Sequence, residues 1–193
     1  TSKFERGLAQ RGLALHDAWR DHPDINPTDP MSEAGRKTLL FHLGRMLAHE
    51  LGTRLGQDIE ELHDMRVATR RMRAAFRVFE PYFEQKAIRR HLKGLRSTGR
   101  ALGPVRDLDV FELRAREYLS SLPAEHSGAL DKLIDAWHLQ RAAARKKMLA
   151  FLDSREYARF VTRFDRFLST PGAGRIPAPC KKAAQNQVRH VVP

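Results

Sequence analysis

From residue 32 to residue 168 the chain sets leucine, methionine, phenylalanine and alanine at intervals of three and four, with charged side chains between them. At 3.6 residues per turn that spacing draws one apolar stripe along a helix, so the region reads as consecutive amphipathic helices. No alternating strand pattern interrupts them. A first helix is predicted over 32–56, with Ser32 as N-cap and Leu39, Leu43, Met46, Leu47, Leu51 and Leu55 as its apolar face. A second runs over 57–80 and is stopped by Pro81. A third covers 84–102 and ends in the Gly103-Pro104 pair, and a fourth runs over 106–121 with Pro123 beyond it. The last two cover 128–152 and 154–168, with Ser154 as a cap. The intervening loops are short, which favours antiparallel neighbours, and the predicted fold is an all-α antiparallel helical bundle.

Proline and glycine mark the flanks. "DHPDINPTDPMS", residues 21–32, holds three prolines among aspartate and asparagine and reads as a linker. Residues 1–31 are therefore expected to form a leader and linker, with a short helix in "LAQRGLALHDAWR". "STPGAGRIPAPC", residues 169–180, reads as a second linker, and the polar stretch after it as a frayed or disordered tail. The first residue is Thr1 rather than Met, which suggests a segment of a longer polypeptide.

Composition adds a partner class. With 193 residues and 41% hydrophobic content the chain can build a core, so it is not a disordered polycation. Lys+Arg total 35 against 23 Asp+Glu, a formal net charge of +12, and such a surface attracts polyanions: nucleic acid, anionic lipid or phosphate polymers. Cys180 is the only cysteine, so no disulfide forms within the chain and no cysteine-based zinc site exists. No apolar run approaches the roughly 18 residues of a membrane span. A reducing, cytoplasmic setting is expected.

The charge is patterned. His63, Arg66, Arg70, Arg73 and Arg77 follow 3,4,3,4 spacing, which gathers them in an arc of about 80° opposite the apolar residues Met65, Ala68, Met72, Ala75, Phe76 and Phe79. The ridge is about 21 Å long at ~1.5 Å per residue. Like charges at this spacing repel by a few tenths of a kcal/mol per pair, and no acid lies between Asp64 and Glu80 to neutralise them. A polyanion laid along the ridge reverses that balance, because arginine forks hold phosphate oxygens bidentately and counterions are released. Lys93, Arg96 and Arg100, with Arg89, repeat the pattern on the next helix. Softer rows follow in His42, Arg45 and His49, in His138, Arg141 and Arg145, and in Arg155, Arg159, Arg163 and Arg166. One such row is ordinarily a solvated face; two on adjacent helices make the case for a groove. Beside phosphate, His63 would be drawn toward its protonated form.

Catalytic and metal motifs are missing from the chain. His42 and His49 stand about 10 Å apart along a helix, too far to share an ion. In "RDLDV", residues 106–110, Asp107 reads as a helix cap and Asp109 as a first-turn acid or an arginine partner. Neither a phosphate-binding glycine loop nor a nucleophile elbow is present. No catalytic residue, metal ligand or cofactor is assigned.

"LHDMRVATRRMRAAFRVF" resembles the signature of CHAD domains, the conserved-histidine α-helical domains, and "LKGLRSTGRALGPVRDLDVF", residues 92–111, resembles their second signature. The resemblance spans residues 32–168 in order and spacing. It implies two four-helix bundles related by a pseudo-twofold, with a basic central groove that binds inorganic polyphosphate. Carried over position by position, the ligand residues would be His63, Arg66, Arg70, Arg73, Arg77, Lys93, Arg96, Arg100 and Arg106. His42, Arg45, His49, Arg141 and Arg145 are carried over more loosely. Ser2–Ala9 resembles the junction after a triphosphate tunnel metalloenzyme domain, whose accessory module this chain would then be. The family's second basic half has no counterpart before Pro193, so that half is expected from a truncated region or from a partner such as another copy. Nucleic acid enters as a non-specific competitor, and a nucleic-acid-binding helical protein is the rival reading.

Overall fold

Proline sets where the first helix begins. The computed structural model describes residues 22–123, 128 and 130–176, and over 22–30 the chain is non-helical. Asp29 ties this segment down by accepting from the Asn26 backbone N–H and from Lys37 Nζ, both at 2.8 Å. Helix α1 (Met31–Ala48) starts immediately after Pro30. Ser32 is therefore not the N-cap expected of it but the buried second residue of the helix. The extended ψ of Pro30, 149°, does the work of a cap geometry without a side-chain bond.

The helix predicted over 32–56 is two. It breaks at His49, and a short α2 (Glu50–Leu55) ends at Gly56, whose φ of 68° is a left-handed C-cap. Leu39, Leu43, Met46 and Leu47 are buried as expected, but Leu51 and Leu55 face solvent. The break rotates Glu50 and Thr53 inward instead. Glu50 stays satisfied there because it accepts from Tyr157 Oη at 2.7 Å and pairs with Arg54 at 2.8 Å.

Helix α3 (Ile59–Phe79) is capped by the Asp58 carboxylate, which accepts from the Glu60 N–H at 2.8 Å. A 3₁₀ turn, Glu80–Tyr82, follows at Pro81. Helix α4 (Gln85–Ser120) then runs unbroken through Gly103-Pro104. Here the expectation of two helices fails, and with it the role of Asp107 as a cap, since Asp107 is mid-helix. Proline inside a helix costs about 3 kcal/mol in a lost hydrogen bond and a ring clash. Pro104 points to solvent, where water can satisfy the freed carbonyl, while Leu102, Gly103, Val105 and Asp109 around it are buried. Tertiary packing on both sides of the proline outweighs the local penalty.

Helices α5 (Asp131–Leu152) and α6 (Arg155–Ser169) complete the described helices, and the Ser154 hydroxyl accepts from the Tyr157 N–H as the sequence predicts. Helices α1, α3, the first half of α4, and α6 close an antiparallel ring around one core. Gly35 of α1 meets Phe79 of α3, Gly94 of α4 receives the Phe160 ring of α6, and Arg36 of α1 donates to the Leu168 carbonyl of α6. Leu39, Leu43, Met65, Met72, Leu95, Leu102, Phe76 and Phe164 fill it. The all-α bundle expected from periodicity is what forms; no strand occurs among the described residues, and the only bridge there joins Phe83 to Arg175.

Beyond the ring, the second half of α4 and the first half of α5 continue as an antiparallel hairpin. It is held by Phe111 against Trp137, by the His138–Glu112 contact at 3.0 Å and by the Arg141–Asp109 pair at 2.5 Å. Residues 170–176 fold back on the 3₁₀ turn, with the Glu84 N–H donating to the Gly174 carbonyl at 2.7 Å. No described helix is long and apolar enough to cross a membrane. The helix expected in 8–20, the tail after 177 and Cys180 lie outside the described residues.

Candidate functional site

Helices α3 and α4 lie side by side, and Arg66 and Arg73 of α3 reach across to Gly103 and Gly99 of α4. A methyl carbon placed on Gly103 would stand 3.0 Å from an Arg66 guanidinium nitrogen, and one on Gly99 would stand 3.9 Å from an Arg73 nitrogen. The arginines of α3 therefore lie over the glycine notches of α4 instead of splaying away from it. Arg70, Arg73 and Arg77 are exposed on α3, as are Arg89, Lys93, Arg96 and Arg100 on α4. Two basic rows thus run side by side on one face. The nearest ion pair is weak: Arg66 approaches Asp107 at 3.7 Å with both side chains well exposed. Arg100 donates to the Ser97 hydroxyl at 3.1 Å and has no ion pair among the described residues. His63 is partly exposed at the α2 end of the same row.

Chemically, the face offers a series of guanidinium forks suited to oxyanions. No group of three His, Cys, Asp or Glu among the described residues could hold a metal ion. Binding of an extended anion is what the arrangement can do.

The other predicted residues are placed differently. His42 is wedged beside Phe41, its Nδ1 buried without a hydrogen-bond partner, and burial, with Arg71 and Arg45 nearby, pushes its pKa down to about 4. Arg71 stands about 120° round α3 from the ridge at ~100° per residue, so the row His42, Arg45 and His49 belongs to the α1 flank. His49 contacts Glu61 at 3.0 Å and Asp64 at 3.7 Å. Arg106 donates to Glu60 at 3.3 Å and reaches the Ile59 carbonyl, bracing the start of α3. Arg141 pairs with the buried Asp109, as the sequence reading allowed for Asp109. Arg145 donates to the Thr53, Arg54 and Leu55 carbonyls and so closes the C-terminal end of α2. These three arginines join elements of the fold, and their guanidinium groups are already engaged.

A second basic feature escaped selection. Between α4 and α6 lies an open trough of about 700 Å³ lined by Lys86, Arg90, His91, Lys93, Arg159 and Arg163, with Gly94, Phe160 and Glu156. The sequence carries the signal in Lys86, Arg90 and Lys93 at 4,3 spacing, but only the packing of α4 against α6 brings that row opposite Arg159 and Arg163.

A helical bundle with an acid-poor double row of basic side chains presents a surface complementary to anions. The CHAD domain model matches residues 37–192, and the chain belongs to this family, which in general is associated with polyphosphate binding and is non-catalytic. No curated protein is similar enough to the chain to be matched to it.

His42 gives a pH prediction. Its pKa is lower folded than in the unfolded chain, so the unfolded state binds more protons below about 6.5. The stability that neutral His42 contributes is present above 6.5 and is lost as pH falls toward 4. The urea midpoint is expected to drop over that interval, and His42→Leu to make the drop shallower; an identical pH profile in the variant would remove His42 as a cause.

Proposed function

We propose that the chain binds inorganic polyphosphate along the α3–α4 face as a non-catalytic module. The single observation that carries this reading is the paired row of arginines, Arg66, Arg70, Arg73 and Arg77 against Lys93, Arg96 and Arg100, with almost no acid beside it. A polymer with regular charge and no sequence suits a regularly spaced row of forks. Membership in the CHAD domain family supports the same ligand. His63, partly exposed, extends the row. On this reading the chain works in the cytoplasm and gathers where polyphosphate accumulates, including granules. Nucleic acid competes only through its backbone charge, so long polyphosphate displaces bound DNA or RNA.

The double substitution Arg70→Glu/Arg73→Glu is expected to weaken polyphosphate binding roughly tenfold or more and to flatten its salt dependence. Both residues are exposed, so helicity and unfolding midpoint should hold. Calorimetric titration that returned the wild-type affinity would sink the assignment of this face.

For the remaining wall of the groove, a second copy of the chain fits the projecting hairpin. Phe111, Leu113, Tyr118, Leu133 and Leu139 are all exposed there. The hairpin mixes acids and bases, with Asp107, Glu112 and Asp135 among Arg114 and Lys132, so a copy can approach here without meeting the basic rows head-on. Sedimentation at rising protein concentration should show a dimer that Tyr118→Glu/Leu139→Glu dissociates; a monomer at every concentration would refute the pairing.

A further inference from the structure

The trough between α4 and α6 has the properties of a built site. Lys86, Arg90, Lys93, Arg159 and Arg163 line it, and none of the five has an ion pair among the described residues. Its floor is Phe160 and His91. His91 is 8% exposed, stacked on Phe164 at 4.9 Å and beside Phe167 at 4.7 Å. Its imidazole has no hydrogen-bond partner among the described residues, although it borders the cavity. The ring borders the open trough, so a ligand there can reach it. Five cations without ion pairs among the described residues, converging on one cavity, favour an anion as its occupant.

We propose that this trough is a second anion site, separate from the α3–α4 face, and that it takes a compact oligophosphate such as a triphosphate chain. Size and boundary argue for a short ligand. Lys86 to Lys93 spans about 10 Å of helix, room for only a few phosphoryl groups. Glu156, the one acid in the lining, repels any polyanion that extends past it. Gly94, filled by the Phe160 ring, fixes the distance between the two walls. The anion bridges Arg90 and Arg163, with His91 beneath as a hydrogen-bond donor. The site does not depend on the polyphosphate reading of the other face, because only Lys93 lies in both rows.

His91 reports on occupancy. Burial, together with Arg163 and Arg90, pushes its pKa down to about 4 in the free protein. The charged groups that face it are Lys86, Arg90 and Lys93 from α4 and Glu156, Arg159 and Arg163 from α6. An anion that offsets the guanidinium charge raises that pKa.

The test is a proton NMR titration of the His91 ring in the full chain, assigned by loss of its signal in His91→Gln, without and with inorganic tripolyphosphate or ATP. Tripolyphosphate should raise the His91 pKa by about one unit. The shift should persist in Arg70→Glu/Arg73→Glu and disappear in Arg90→Gln/Arg163→Gln, whose tripolyphosphate affinity by calorimetry should fall about tenfold. A shift with tripolyphosphate alone assigns a free oligophosphate, and a shift with ATP as well assigns a triphosphate chain whose other end is in solvent. No shift with either, or an unchanged shift and affinity in Arg90→Gln/Arg163→Gln, overturns the site. Loss of the shift in Arg70→Glu/Arg73→Glu would overturn its separateness from the α3–α4 face.

Discussion

The packing of α3 against α4, which sets two basic rows beside one another over a shared core, is the constraint on which the rest of the molecule turns. Arg66 lies over Gly103, where an added methyl carbon would crowd a guanidinium nitrogen at 3.0 Å, while at Gly99 the nearest Arg73 nitrogen, 3.9 Å away, leaves room for one. Glycine weakens a helix by about 1 kcal/mol relative to alanine, so Gly99 and Gly103, with Pro104 next to the second, form a locally poor stretch. That stretch stays helical because Leu102, Val105 and Asp109 are packed around it. The core thus maintains the geometry in which like charges are held together, and an anion is what makes that arrangement favourable.

The apolar and charged faces of α3 divide this labour cleanly. Met65, Ala68, Met72 and Phe76 are buried against α1, α4 and α6, while the ridge from His63 to Arg77 remains at the surface. Other arginines are held inside the architecture. Arg145 closes α2, Arg106 braces the start of α3 and Arg141 neutralises Asp109 at the root of the projecting hairpin. Replacement of such residues would change stability before it changed binding, which separates them from the exposed rows.

How far the sequence could be read follows from which interactions are local. The 3,4 spacing reveals α3, the apolar face of α1 and the ridge, because each is a property of one helix. The Ser154 signal at the start of α6 is local too. Pro104 misleads because its penalty is local and its compensation is not: the packing that carries α4 through lies on other helices. Leu51 and Leu55 mislead for the same reason, since the break at His49 is set by Glu50 meeting Tyr157 from α6, more than a hundred residues away. His42 and His49 share a face with Arg45 on paper, yet α3 stands between that face and the α4 row. The α4–α6 trough needs both helices in place before its cations converge.

The central claim is that the α3–α4 face holds the phosphate polymer. Its most direct test is the footprint of long-chain polyphosphate on the arginine side-chain Nε–H resonances of the full chain. Perturbation concentrated at Arg66, Arg70, Arg73, Arg77, Arg96 and Arg100, with Arg114 and Arg155 unmoved, is the result this account predicts. Perturbation spread evenly over all exposed arginines, or centred away from α3 and α4, would contradict it.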